Sequence, residues 1–129
     1  MYGPGTKDEA SVRRSVYFTV KRSQLVGSMV VFDLPEPLVS QAVRPTTTVA
    51  PQALFLMNAP EVRDWSKKFA GRLETEPTPE AKVTRAFLLA LGRKPTEAEL
   101  DQSITFLKSQ DLADFCQVVL GLNEFAYEN

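Results

Sequence analysis

Between Pro79 and Gly92 the apolar residues fall at Val83, Ala86, Phe87, Ala90 and Leu91. That is the i, i+3, i+4, i+7, i+8 spacing of a single helix face. Both ends are punctuated. Thr78 stands where an N-cap side chain is needed, Pro79 where a missing N–H costs nothing, and Gly92 where a helix turns left-handed and stops. Leu88 and Leu89 widen the apolar face, which predicts a central helix. An isolated helix this short is marginal in water, so its stripe must be buried against partners. The rest of the chain has to supply them.

Neighbouring segments carry the same grammar. Pro51 opens a short helix through Met57. Asn58 with Glu61 three residues later has capping-box spacing, and Val62, Trp65, Phe69 and Leu73 follow as an apolar stripe. Trp65 and Phe69 are predicted to be core, and Asp64 and Lys68 an i, i+4 pair on the wet face. Thr75 to Pro79 is a linker. Thr96 and Glu99 form a second capping box, followed by Leu100, Ile104 and Leu107. Asp111 caps a last helix with Leu112, Phe115, Cys116 and Val119 on one side. Phe125 and Tyr127 are expected to fold back onto the core.

The first fifty residues are different. Gly3-Pro4-Gly5 lies in a flexible lead-in covering residues 1–11. Ser15 to Val20 alternates and is rich in β-branched and aromatic residues, which predicts a short strand or extended segment. Met29 to Phe32 is apolar and ambiguous between strand and helix. Pro35 and Pro37 end it, and Leu38 to Ala50 reads as loop. Charge divides at the same place. Residues 1–50 carry six basic and four acidic groups, and residues 51–129 carry nine and twelve. The expectation is a mainly α protein, a bundle of four to five short amphipathic helices over 51–129. Its irregular N-terminal segment, 12–50, contains one or two short strands, and 12–129 forms a single domain.

Composition then narrows the chemistry. The 129 residues include no histidine and one cysteine. Ser-His-Asp and Cys-His catalysis, His-ligated zinc and an attached c-type haem all need residues this stretch lacks. An internal disulfide needs a second cysteine, and Cys116 on an apolar stripe is expected to be a buried, inert thiol. The formal net charge of −1 gives no overall pull toward nucleic acid. No apolar run approaches the roughly 18 residues of a membrane span. No cofactor is implied.

The candidate ligand-binding residues are Arg13, Arg14, Lys21, Arg22, Asp33 and Arg44. Four of the basic residues lie within ten positions with no acid between them, which suits a phosphate, a sulfate or an acidic partner. A solvated strand edge explains the same charges. Arg14 or Arg22 paired with Asp33 would pin the irregular half in place. Asp33 and Glu36, in proline-bounded loops, are the candidate hydrolase carboxylates, although loop carboxylates more often cap turns. Glu97, Glu99 and Asp101 are accounted for by the helix dipole rather than by a metal. Thr46-Thr47-Thr48 has no base to make it a nucleophile and reads as a turn and capping element.

Several blocks carry a further signal. Arg14-Ser15-Val16-Tyr17, Val20-Lys21-Arg22, Phe32-Asp33-Leu34-Pro35, Thr48 through Pro51-Gln52-Ala53-Leu54 and Met57-Asn58 occur in order. Arg85-Ala86-Phe87, then Ala90-Leu91-Gly92-Arg93-Lys94-Pro95-Thr96 with Glu99, and finally Leu122-Asn123-Glu124-Phe125-Ala126-Tyr127 follow. Together they resemble the C-terminal planctomycete-specific domain of unknown function, the PSD family. Members are much longer, often with a cytochrome-c-like domain upstream, and typically exported. The resemblance implies the C-terminal fragment of a larger protein of the periplasm or cell surface, with upstream domains of that protein as partners. It supplies no catalytic residues. A structural or interaction module is the expected role. The alternatives are an anion- or polysaccharide-binding module on residues 13–22 and part of a hydrolase.

Overall fold

A computed structural model describes residues 5–6, 14–21, 25–32 and 50–126. The chain is mainly α, as the periodicity requires. Among the described residues there are seven α-helices and one 3-10 turn. The helices are α1 (Gly27–Val31), α2 (Ala50–Asn58), α3 (Pro60–Leu73), α4 (Pro79–Leu91), α5 (Glu97–Leu107), α6 (Leu112–Leu120) and α7 (Asn123–Ala126). Two compact units divide the chain, Met1–Phe55 and Leu56–Asn129.

In the first unit the stretch 15–20, expected as a short strand or extended segment, opens as a 3-10 turn, Ser15–Tyr17, and becomes extended at Phe18. One isolated parallel bridge joins Thr6 to Phe18. It is closed by Thr6 N–H donating to Tyr17 O at 3.1 Å and Thr19 N–H donating to Thr6 O at 2.8 Å. The alternation of residues 15–20 is too short to impose a ladder without partner strands. Gly5 leaves room for this pairing, because a Cβ there would crowd the Thr19 hydroxyl. The ambiguous run near Met29 is helical (α1), and the Phe32 and Phe55 rings meet edge to face with centroids 5.8 Å apart.

The second unit holds the core of Ala70, Leu73, Val83, Ala86, Phe87, Phe115, Cys116 and Val119. Helix α3 packs along α6, and α4 touches α3, α5, α6 and α7, which makes it central. Phe87 is 4% exposed and Val83 fully buried. Each such side chain contributes about 1.5–3 kcal/mol through removal from water. Leu88 and Leu89 remain exposed, so the buried stripe of α4 is narrower than its apolar content suggests.

The caps explain where the helices begin and end. Thr78 Oγ1 accepts from Ala81 N–H at 3.2 Å, with Pro79 in the first turn. Gly92 ends α4 at φ +71°, a conformation costing other L-residues about 1–2 kcal/mol. Thr96 and Glu99 make the expected capping box, and Asp111 Oδ1 accepts from Asp114 N–H at 2.8 Å. The start of α3 departs from expectation. Asn58 is the last residue of α2, and Ala59 takes the N-cap place of α3 without a side-chain bond. Pro60 in the first turn fixes the start instead.

The buried face of α3 is also rotated. It consists of Val62, Ser66, Ala70 and Leu73. Ser66 can occupy the core because its hydroxyl donates to Val62 O at 2.8 Å, leaving no polar group unpaired. Trp65, expected in the core, is 42% exposed. On the wet face Asp64 meets Lys67 at 3.9 Å rather than Lys68.

Candidate functional site

Arg14 precedes the 3-10 turn and its carbonyl accepts from Tyr17 N–H at 3.0 Å, while its side chain is exposed. Lys21 is exposed too. Arg13, Arg22, Asp33 and Arg44 lie outside the described residues, as do Glu36 and Thr46 to Thr48. The structure therefore places two of the six candidate residues, both at the surface.

Sequence reasoning gives Glu99 its capping box but attaches no role to Arg93, the centre of the densest polar arrangement among the described residues. Arg93 follows Gly92 in the α4–α5 turn, and all five of its N–H donors reach protein oxygens. Nε donates to Glu124 Oε1 at 2.8 Å and Nη2 to Glu124 Oε2 at 2.8 Å. Nη1 donates to Glu99 Oε2 at 2.9 Å and to Lys94 O at 3.1 Å, and Nη2 to Glu99 Oε1 at 2.8 Å. The guanidinium also lies over the Phe87 ring, 5.5 Å from its centroid. One side chain thus ties the end of α4, the first turn of α5 and α7 together.

The electrostatics follow from this geometry. Arg93, helped by the Thr96 N–H, holds the Glu99 carboxyl down at about 2. It holds Glu124 below the usual range as well. Asp111 is lowered chiefly by the Asp114 N–H it caps. A general acid working near neutrality needs a carboxyl raised, not lowered. Burial pushes the Cys116 thiol up to about 12, away from the thiolate a nucleophile requires. Among the described residues no group of three or more acidic or cysteine side chains could hold a metal ion, and the Glu99 of the acidic α5 start is bound to Arg93.

A second arginine joins α3 to α6. Arg63 Nη1 donates to Asp114 Oδ1 and, at 3.3 Å, to Gln117 Oε1. Its Nη2 lies 3.9 Å from Asp111 Oδ2. Gln117 Nε2 then donates to Met57 O at 2.8 Å, satisfying a carbonyl near the end of α2.

Among the described residues of the helical unit, three concavities stand out. A groove of about 580 Å³ runs past Leu56, Met57, Phe106, Asp114, Val118 and Leu122. A cleft of about 310 Å³ is lined by Trp65, Lys68, Phe69, Arg72, Leu89 and Phe125, with Ala90 and Leu120. A smaller one of about 250 Å³ lies against Phe87, Glu99, Phe106 and Phe115. All three are walled mainly by apolar side chains.

No curated protein and no solved structure matches the chain. A family description does. Residues 3–107 match PSD1, a protein of unknown function (DUF1553), from the lead-in through the end of α5. That is well over half of the sequence, and the chain belongs to the PSD1 family of proteins of unknown function.

Proposed function

We propose that the chain is a non-catalytic structural and interaction module, the C-terminal part of a larger exported protein. The saturated guanidinium of Arg93 carries this reading. The most concentrated charges of the helical unit bind each other and hold helix ends together. Among the exposed residues are several large apolar side chains: Met57, Trp65, Leu88, Leu89, Val118 and Phe125. Surfaces of that kind serve contact with other protein surfaces. The family resemblance supplies the longer, exported parent and its upstream domains as partners.

The test compares the chain alone with the chain joined to the domains that precede it in the parent protein. Calorimetry should show one joint transition, with a higher midpoint than the isolated chain. Independent, unshifted transitions would overturn the structural reading. Chromogenic glycosides, esters and phosphoesters should show no turnover above a buffer blank, and saturable turnover would overturn the non-catalytic one. The exposed Arg14 and Lys21 favour a second reading, an anionic polysaccharide site. It requires retention on a heparin column at physiological salt that falls in Arg14→Ala and Lys21→Ala.

A further inference from the structure

The basic residues of α3 sort into two kinds. Arg63 is paired with Asp111 and Asp114, and Lys67 with Asp64. Lys68 and Arg72 are both exposed and have no ion-pair or side-chain hydrogen-bond partner among the described residues. Lys82, Arg85, Lys94 and Lys108 of the same half also lack an ion pair among the described residues, so it is the place of Lys68 and Arg72 that distinguishes them. Arg72 lies in the last turn, where a cation offsets the helix dipole, but Lys68 has no such role.

Both cations line the 310 Å³ cleft. Trp65, Lys68 and Arg72 follow at i, i+3 and i+7, so they share one face of α3. Trp65 is the single tryptophan of the chain and is turned out of the core onto this wall. Phe125 of α7, 44% exposed, and Leu89 of α4 stand among the other lining residues. The volume is at the small end of ligand pockets, which begin at about 300 Å³. Exposed tryptophan beside arginine is the composition of an interface anchor site.

We propose that this cleft is an anchor site for an acidic peptide segment of a partner chain. One aromatic or aliphatic side chain of the segment enters between Trp65, Phe69, Leu89 and Phe125. Its flanking carboxylates pair with Lys68 and Arg72, the arginine as a two-pronged donor. Charge complementarity selects this occupant, because a purely apolar segment would leave both cations unmatched and a basic one would be repelled. The assignment rests on the interaction-module reading and gives it a location and a partner chemistry.

The experiment selects random dodecapeptides on the immobilised full chain and titrates the winners against Trp65 fluorescence. Enriched sequences should combine acidic residues with an aromatic or large aliphatic one. They should shift Trp65 emission to the blue on binding, and bind more weakly at high salt. Lys68→Glu combined with Arg72→Glu should weaken binding by at least about tenfold, roughly the loss of one good contact. Lys68→Gln with Arg72→Gln should fall between, and both double variants should keep the parent's circular dichroism. If a reversed variant did not fold, the glutamine variant would decide alone. Selection of basic or uncharged sequences, or acidic binders indifferent to both double variants, would overturn the proposal. So would decanoate outcompeting every peptide, which would make the cleft a site for a free amphiphilic carboxylate. None of these failures touches the module reading, which falls only to enzymatic turnover or to independent melting of the joined domains.

Discussion

Arg93 gives every guanidinium N–H to a protein oxygen, whereas Lys68 and Arg72, in the same helical unit, have no ion pair among the described residues. The difference is positional. Arg93 sits in a turn between two helices, where unsatisfied carbonyls and a capping carboxylate gather. Lys68 and Arg72 lie on a helix flank beside an apolar cleft, with no carboxylate within ion-pair reach among the described residues. Charge at a helix junction stabilises the chain itself. Charge on a flank beside apolar surface remains available to something else.

The comparison breaks most visibly through the core beneath Arg93. Phe87→Ala removes a nearly buried ring and the surface on which the guanidinium rests. Urea unfolding should register a loss of about 3–5 kcal/mol. A loss below about 1 kcal/mol would mean the junction stands without its floor.

Arg93→Lys keeps the charge and loses the planar fork that reaches two carboxylates at once. Its melting temperature should drop by several degrees, with α7 affected first. A melting curve superimposable on the parent's would reduce the arrangement to a surface decoration.

Acid titration sharpens the same point. Glu99 is held at about 2 in the folded chain against an ordinary 4.5. As pH falls the unfolded chain takes up this proton first. The contribution is therefore complete above about 4.5 and is lost as pH falls toward 2. Glu99→Gln should flatten that part of a stability-versus-pH curve, while Lys68→Gln should leave its shape unchanged.

The smallest expected effect is on the other side. Lys68→Ala and Arg72→Ala should each change stability by no more than about 0.5 kcal/mol, as exposed sites without partners do. A clear loss in thermal melts of either variant would show that these cations also hold the fold, and the contrast with Arg93 would dissolve.

Legibility in the sequence followed the reach of each interaction. Thr78, Pro79, Gly92, Thr96, Glu99 and Asp111 announce the helix ends because a cap acts within three or four residues. The face of α3 was harder to read. Hydrophobicity places Trp65 inside and Ser66 outside, but Ser66 satisfies its hydroxyl on Val62 and is fully buried, while Trp65 stays half exposed. The short alternation over 15–20 suggests a strand or extended segment, and only its later part is extended after a 3-10 turn, since strand pattern without a neighbouring strand decides little. Arg93 stands in a recognisable family block, and Glu99 lies close enough to suggest a partner. Glu124 lies 31 positions away, and nothing local connects it to Arg93. The surface positions of Arg14 and Lys21 agree with their charge, while Asp33 and Arg44 fall outside the described residues.

The two partners of Arg93 also impose an order of assembly. Glu99 is six residues away and closes a short loop with the capping box already formed. Glu124 must wait for a loop five times longer, and its helix is only four residues long. So short a helix has no cooperative stability of its own. Folding should therefore finish at α7, and opening should begin there. In native-state hydrogen exchange the amides of Phe125 and Ala126, which bond to Leu122 O, should exchange well before those of α4.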